Sequence, residues 1–242
     1  MTMQQLVYRP SFGPSARKLA RLLGVKPVRF NRLRGQACIS WGAASSRSQA
    51  RLNGGICLSK EQHLKLWKES SLQTVQLSHS PVQGWLPRSG MSFGGRDFRY
   101  TPSSIAYWTK PILNSTAEYR LHLAIKPGKK RGNPNSYRVI RYGYKTNQDP
   151  SLNVTTCGIQ IRSRQFGWHL KYYNQSTMEI NSSLDLAARW AIAVVGWDFG
   201  AIDVLRTRDN KYVILEINSA PGLLDDNTAK AYADALREVI GG

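Results

Sequence analysis

Acid is scarce in the first quarter of this chain: no aspartate or glutamate precedes Glu61, and 15 acids stand against 34 lysines and arginines in 242 residues, a net charge of +19. Long apolar runs are missing too. No stretch approaches the roughly 18 apolar residues of a transmembrane helix, and the opening "MTMQQLVYRPSF" lacks the apolar core of a secretory signal. The acid-poor start superficially resembles a transit peptide, but "ACISWGA" and "GGICLS" within it read as short buried strands, too structured for that role. Cysteine is limited to Cys38, Cys57 and Cys157, an odd number without metal-ligand spacing, and the four histidines are scattered. A disulfide framework and a zinc site are thereby disfavoured, and a reduced, cytoplasmic protein with no membrane contact is expected.

What charge there is divides unevenly. Residues 1–178 carry a net +23 and residues 179–242 a net −4. So basic a surface implies an acidic partner: nucleic acid, an acidic polypeptide or a polyphosphate. With 41% hydrophobic and 10% aromatic residues the chain can bury a real core.

Helix and strand signals interleave without a regular βαβ rhythm, which predicts an α+β fold. "SARKLARLL" (15–23) fits a short helix, and "KPVRF" and "ACISW" after it are strand-like. "SKEQHLKLWKES" (59–70) is a second helix with a Ser59 cap and Leu64 and Trp67 inward, followed by the strand "TVQLS" (74–78). Residues 84–100 read as a strand, a glycine-rich turn and a strand. Antiparallel strands are expected across 105–145, broken by the basic loop "KPGKKRGNPNS" (126–136), an exposed and mobile hairpin tip. A helix over 182–196, capped by Ser182 or Ser183 and ended by Gly196, and another over 228–240 complete the order. Trp190 and Trp197, at the end of the first of these, are expected in the core.

"DFGAIDVLRTRDNKYVILEINSAPG" (198–222) concentrates the chemistry. Two apolar strands flank Asp209-Asn210, a pair suited to tight hairpin turns. A loop symmetric about that pair sets Arg208 against Lys211 and Asp203 directly against Glu216. Opposed side chains lie about 5 Å apart, so two like charges there are destabilising unless a cation compensates them. Alternation adds Asn218 to the face of Glu216 and sends Val213, Leu215 and Ile217 to the other. Three hard oxygen donors suit Mg2+, which is commonly held by one or two carboxylates together with substrate phosphates. Neutralising either acid is expected to leave the metal-free protein as stable or more so.

Two familiar motifs fail. Gly90 to Gly95 approaches a P-loop, but Arg96-Asp97 stand where a lysine and a hydroxyl residue are needed, and Asp198-Phe199-Gly200 lacks the catalytic loop of a protein kinase upstream. What remains is a glycine-rich turn whose amides can fold over phosphates, with Arg88 and Arg96 beside it.

A glycine-rich hairpin, a D…E-x-N oxygen set and a Pro-Gly loop, in that order, resemble the ATP-grasp superfamily. The likeness is specific in "GWDFGAIDVLRTRDNKYVILEINSAPGL", extends to "YWTKPILNSTAEYRLHL", and covers roughly residues 75–242. Ser40-Trp41-Gly42 adds similarity to short members of the ribosomal-protein glutamate ligase group, of the kind carried by bacteriophages, for which a host-cell cytoplasmic location follows. The resemblance implies two α+β lobes clasping ATP, with a small N-terminal α/β lobe (1–73), a central lid lobe with the glycine-rich hairpin (74–110) and a C-terminal ATP- and metal-binding lobe (111–242). It implies ATP and Mg2+ as cofactors, with Asp203, Glu216 and Asn218 as metal ligands. Arg88, Gly94, Gly95 and Arg96 would approach the phosphates, Tyr107 and Lys110 in the hinge "YWTKPI" the adenine, and Glu118 the ribose or phosphates. Arg120 and Lys145 would serve the acyl-phosphate intermediate of a carboxylate–amine ligase with unknown carboxylate and amine substrates. Two departures stand out: the N-terminal lobe is short, and Arg88 occupies a position where lysine is usual.

Aromatic and basic clusters, "RDFRY", "RSRQFGWHLKYY" and "KKRGNPNSYR", also fit stacking and phosphate contacts to single-stranded nucleic acid, although core packing accounts for Phe98, Trp168 and Tyr172 as well. Two other classes therefore compete with a ligase. One is a basic nucleic-acid-binding protein that keeps the scaffold without turnover; the other is a phosphotransferase.

Overall fold

The computed structural model describes residues 4–33, 37–42, 50–54, 58–88, 107–149, 151, 155–156, 159–160, 162, 167–173 and 180–241. Strand β1 (Gln5–Tyr8) runs between β2 (Lys26–Arg29) and β3 (Ile39–Trp41) in a small parallel sheet. Helix α1 (Gly13–Leu23) buries Ala16, Leu19 and Ala20 and stops at Gly24, whose φ of 72° suits glycine. Helix α2 (Lys60–Glu69) opens on a capping box: the Gln62 amide donates to Ser59 Oγ and the Ser59 amide to Gln62 Oε1. Its Leu64 and Trp67 are buried, as their spacing predicts. Short strands β4 (Leu77–Ser78), β5 (Leu86–Arg88) and β6 (Tyr107–Thr109) pair antiparallel in the order β4-β6-β5. The predicted strand over 74–78 is thus only two residues long, and most of the glycine-rich turn, including Gly94, Gly95 and Arg96, lies outside the described residues.

The main sheet is antiparallel and five-stranded. Its strands are β7 (Ser115–Ile125), β8 (Tyr137–Asn147), β11 (Trp168–Tyr172), β12 (Phe199–Thr207) and β13 (Tyr212–Asn218), ordered β11-β8-β7-β12-β13; β9 (Thr155–Thr156) and β10 (Ile159–Gln160) form a separate pair. Helix α3 (Ser182–Val195) joins α2 on one face, over Leu121, Leu123, Ile202, Val204, Ile214 and Ile217. The opposite face is divided. At one end Ala124, Ile140 and Phe199 share a core with α4 (Asp226–Gly241) and the small parallel sheet, where Trp41 stacks on Phe199 with ring centroids 5.4 Å apart. Past Phe199 that face opens into a cleft.

Several expectations change. Asn181, rather than Ser182 or Ser183, caps α3 by accepting from the amides of Ser183 and Leu184. Trp197 is buried, but Trp190 is exposed, because it lies on the outer side of α3. The 126–136 loop is exposed over 127–133 as expected, but it is anchored. Arg131 reaches back to Asp198 with two hydrogen bonds, Nε to Oδ1 at 2.7 Å and Nη2 to Oδ2 at 2.5 Å, and Pro134 and Ser136 are buried.

Asp198 is therefore structural, and it shares its place with Asn53. The Asn53 amide donates to Asp198 Oδ2 at 2.6 Å, its Oδ1 accepts from the amides of Asp198 and Phe199, and its Nδ2 donates to Phe199 O. Asn53 is 2% exposed with φ at 53°, a conformation asparagine tolerates well. Asn53→Ala strips partners from two buried amides and a carbonyl at the start of β12, at about 1 kcal/mol or more for each. Urea unfolding should show at least about 3 kcal/mol of lost stability; a loss under about 1 kcal/mol would contradict this role.

His63 is buried against Trp67 and Trp197, and neither ring nitrogen has a hydrogen-bond partner. Burial, with the Lys60 charge adding to it and the Glu216 charge opposing it, lowers its pKa from 6.5 to about 4. The unfolded chain thus takes up a proton near pH 6.5 and the folded one only near 4. Its contribution is complete above 6.5 and drains away as pH falls toward 4, by up to about 3 kcal/mol. Wild type should lose more stability over that window than His63→Phe, in denaturant melts at both pH values; parallel losses would refute the shift.

Candidate functional site

The hairpin that carries Asp203 and Glu216 is built differently from the symmetric turn expected. Thr207 and Lys211 close it, with the Thr207 amide donating to Lys211 O, and Asn210 takes φ of 58° in a three-residue loop. Arg206 then pairs with Tyr212 and Val204 with Ile214, one residue out of the expected register. A bulge between Asp203 and Val204 restores it, so Asp203 does oppose Glu216, and Ala201 opposes Asn218. The extra residue is Leu215. It turns to the cleft beside Glu216 instead of sharing the buried face with Ile217, which corrects the expected alternation.

Pairing across the sheet aligns two transverse rows on this face. One reads Tyr172, Gly143, Arg120, Asp203, Glu216; the next reads Arg141, His122, Ala201, Asn218. Gly143 makes the first row possible, since a Cβ there would sit 2.9 Å from the Tyr172 ring and 2.9 Å from Lys171 O. Above the rows lies a cavity of about 920 Å³. Arg88, Tyr107, Lys110, Glu118, Arg120, Lys145, Asp203, Glu216 and Asn218 all line it, so every described residue of the sequence-based set is brought together. At one end the cavity meets the Ala220-Pro221-Gly222 loop, against which Gly42 packs so closely that a Cβ would lie 2.7 Å from Ala220 Cβ.

The two acids are compensated by the protein itself. Arg120 donates Nε and Nη2 to the two oxygens of Asp203, each at 2.6 Å, and Asp203 is 3% exposed. Lys60, the first residue of α2, lies 2.9 Å from Glu216 Oε2, and Asn218 Nδ2 donates to Oε1 at 2.9 Å. Burial alone would raise the Glu216 pKa, but Lys60, Asn218 and Arg120 outweigh it and hold the carboxyl well below its ordinary value. Glu118 goes the other way. Burial, aided by the Asp203 charge, pushes its pKa up against the pull of Lys145, with which it is ion-paired. Burial and the Arg120 and Arg141 charges hold the His122 pKa far below 6.5, so the ring is neutral; its nitrogens bridge the hydroxyls of Tyr232 and Tyr172, each at 3.1 Å.

Asp203, Glu216 and Asn218 are a hard oxygen set side by side on β12 and β13, and they fit Mg2+. Among the described residues no three acids, histidines or cysteines converge on one point. Two carboxylates and an amide therefore suit an ion that draws its other ligands from a phosphate chain. Sequence reasoning missed Lys60, Arg141 and Asp225, and read Arg162 and Tyr172 only within a cluster suited to nucleic acid or core packing; all five line the same cavity. Two of these had a signal: Lys60 follows a helix cap, and Arg141, Gly143 and Lys145 recur with the period of a strand face.

The architecture is the ATP-grasp fold. The chain is similar over 98% of its length to 98% of the ATP-grasp ligase PsnB complexed with a phosphomimetic variant of its minimal precursor, Mg and ADP, with a TM-score of 0.57 and 10% identity. It covers 99% of macrocyclase MdnC from Microcystis aeruginosa MRC, bound with precursor peptide MdnA, with 96% of its own length, a TM-score of 0.52 and 13% identity. With a carboxyaminoimidazole ribonucleotide synthase from Asperigillus clavatus, complexed with ATP, the TM-score is 0.62 at 9% identity, over 98% of this chain and 77% of that one. No protein-family model and no curated protein matches the sequence.

Because Arg120 neutralises Asp203, the stability effect expected from two bare acids reverses. Asp203→Asn strands a guanidinium whose side chain is only 21% exposed, and breaking such a pair costs about 3 kcal/mol. Chemical denaturation of the nucleotide-free variant should show that loss; a variant as stable as wild type would contradict the pairing.

Proposed function

We propose that the protein is an ATP-dependent carboxylate–amine ligase that forms an amide bond through an acyl phosphate, with ATP and Mg2+ as cofactors. The observation that carries this reading is the opposed Asp203–Glu216 pair with Asn218, facing a cavity lined by seven lysines and arginines against four acids. It is supported by the ATP-grasp fold, since two of the similar structures named above were solved with Mg and ADP or with ATP. In this reading ATP lies between a lid formed by residues 74–110 and a binding lobe formed by 111–242, with 1–73 as the small N-terminal lobe. Tyr107, Lys110 and Leu215 flank the adenine, and Glu118 meets the ribose or phosphates. Lys60, Arg88 and the 94–96 turn hold the phosphate chain.

Asp203, Glu216 and Asn218 would hold Mg2+, which neutralises the triphosphate and steadies the transferring phosphoryl group. Arg120 sits beside Asp203, where it can stabilise charge on that group. Lys145, steered by Glu118, does so from the neighbouring strand. The substrate carboxylate attacks the γ-phosphorus, ADP leaves, and an amine displaces phosphate from the acyl phosphate. No side chain of the protein need act as nucleophile. The carboxylate belongs to a peptide or a small molecule, and the resemblance of Ser40-Trp41-Gly42 to the short, phage-type ribosomal-protein glutamate ligase group favours an acidic peptide as partner. Among the described residues no helix is long and apolar enough to cross a membrane. A cytoplasmic location is proposed on the cysteine usage, three without disulfide or metal-ligand spacing.

ATP consumption with a panel of carboxylates, trapped by hydroxylamine, tests the reading. Turnover should require Mg2+ and should fall about a hundredfold or more in Asp203→Asn and Glu216→Gln. Wild-type turnover in either folded variant would overturn the metal assignment. Absence of turnover, with tight and salt-sensitive binding of single-stranded nucleic acid, would favour the non-catalytic scaffold instead. A stable phosphorylated product without hydroxamate would favour a phosphotransferase.

A further inference from the structure

The cavity extends beyond the strands that carry the metal-type ligands. Over β8 and β11 its wall includes Arg141, His169, Leu170 and Tyr172, with Asp225 beyond them. Arg141 is the unusual group here. Its side chain is 9% exposed, yet Nε is buried without a hydrogen-bond partner. Nη1 donates to Tyr173 O at 3.0 Å, and the guanidinium lies over the Tyr172 ring, 4.9 Å from its centre. The nearest acid is Asp225, whose Oδ2 is 3.5 Å from Nη2, well beyond the 2.7–2.9 Å or so of a charge-assisted hydrogen bond. That oxygen is already taken up in capping α4, accepting from the Thr228 amide at 2.7 Å and hydroxyl at 2.6 Å. A buried guanidinium that makes one hydrogen bond with its five N–H groups, beside a distant and occupied counter-charge, is poorly satisfied for so closed a place.

We propose that Arg141, seated on Tyr172, is the receptor for a carboxylate of the second substrate, and that it anchors a carboxylate other than the one activated. Sheet geometry separates the two. Arg141 stands on β8, two strands from Asp203 on β12, and strands are spaced about 4.8 Å apart. A carboxylate held there lies about 10 Å across the sheet from the acid pair, with Arg120 between. The substrate so described carries a spare carboxylate, as a dicarboxylic acid or an acidic peptide does. Tyr172 fixes the platform: its hydroxyl is tied to His122 Nε2, and its ring fills the space that Gly143 leaves. A phosphate ester shares the oxyanion chemistry, but a dianion would stand next to Asp225 with a single guanidinium to meet it. One negative charge fits better than two.

This assignment deepens the ligase reading and rests on it for the fate of the substrate, but its test needs no turnover. Succinate and, separately, inorganic phosphate are titrated into the whole protein at constant ionic strength, and the melting temperature is followed. Succinate should stabilise wild type, and Arg141→Met should bind it at least about tenfold more weakly. Arg141→Lys, which keeps the charge and loses the fork, should fall between. Asp225→Asn keeps a capping side chain and removes the competing charge, so it should bind succinate more tightly, a gain that misfolding cannot imitate. No succinate-dependent shift in wild type, or an equal shift in Arg141→Met, overturns the proposal. A phosphate shift that exceeds the succinate shift and vanishes in Arg141→Met overturns the carboxylate assignment. A protein that never consumes ATP, yet loses succinate binding with Arg141, contradicts the ligase and leaves the receptor standing.

Discussion

Two carboxylates set opposite each other on adjacent strands would repel, and the architecture around the cleft answers that constraint. Asp203 lies on β12, inside the five-stranded sheet, with Arg120 beside it in the same transverse row, so one acid is locked by a two-pronged ion pair. Glu216 lies on β13, the edge strand, where among the described residues only a short bridge from Thr74 to Ile214 continues the sheet and no strand lies beside Glu216 to supply a cation. Helix α2 does so, bringing Lys60 from outside the sheet. The sheet, the helix packed on its far face and the acid pair are therefore interdependent. Trp67, which donates to Ala191 O of α3, holds the helix that carries Lys60.

The same logic explains why the cleft opens where it does. Apolar residues on that face of β12 end at Ala201; Asp203 follows, then Leu205, a charged notch with an apolar shoulder. On the other side of Ala201, Phe199 is sealed beneath Trp41 and Tyr232, and Asp198 is tied to Asn53 and Arg131. One strand thus passes in five residues from a sealed core to an open site. The chain just past β3 meets the Ala220-Pro221-Gly222 loop at Gly42, whose φ of 66° and close packing exclude other residues. The Ser40-Trp41-Gly42 tripeptide earns its place in this contact and has no need of a chemical role.

Much of this was legible in the sequence because it is local. Alternation and helix spacing located α1 to α4 and the long strands, and the opposed acids emerged from the turn composition. The reasoning behind the last inference was nevertheless incomplete: the turn holds three residues, not two, and a bulge at Leu215 happens to restore the register. A bulge leaves no reliable mark in a single sequence. Contacts over long separations were equally hidden. Nothing near Asp198 announces Asn53, 145 residues away, and nothing near Glu216 announces Lys60. The anchor of the exposed 126–136 loop was hidden in the same way, since the Asp198 partner of Arg131 lies across the fold.

In the proposed function Asp203 and Glu216, held by Arg120 and Lys60, bind a divalent metal once a nucleotide enters the cleft. Electron paramagnetic resonance of Mn2+, in place of Mg2+, with a non-hydrolysable ATP analogue tests this most directly. Wild type should take up Mn2+ tightly only when the analogue is present, and Glu216→Gln should bind the analogue while losing most of the protein-dependent Mn2+ uptake. Equal Mn2+ uptake by the two proteins would contradict the account.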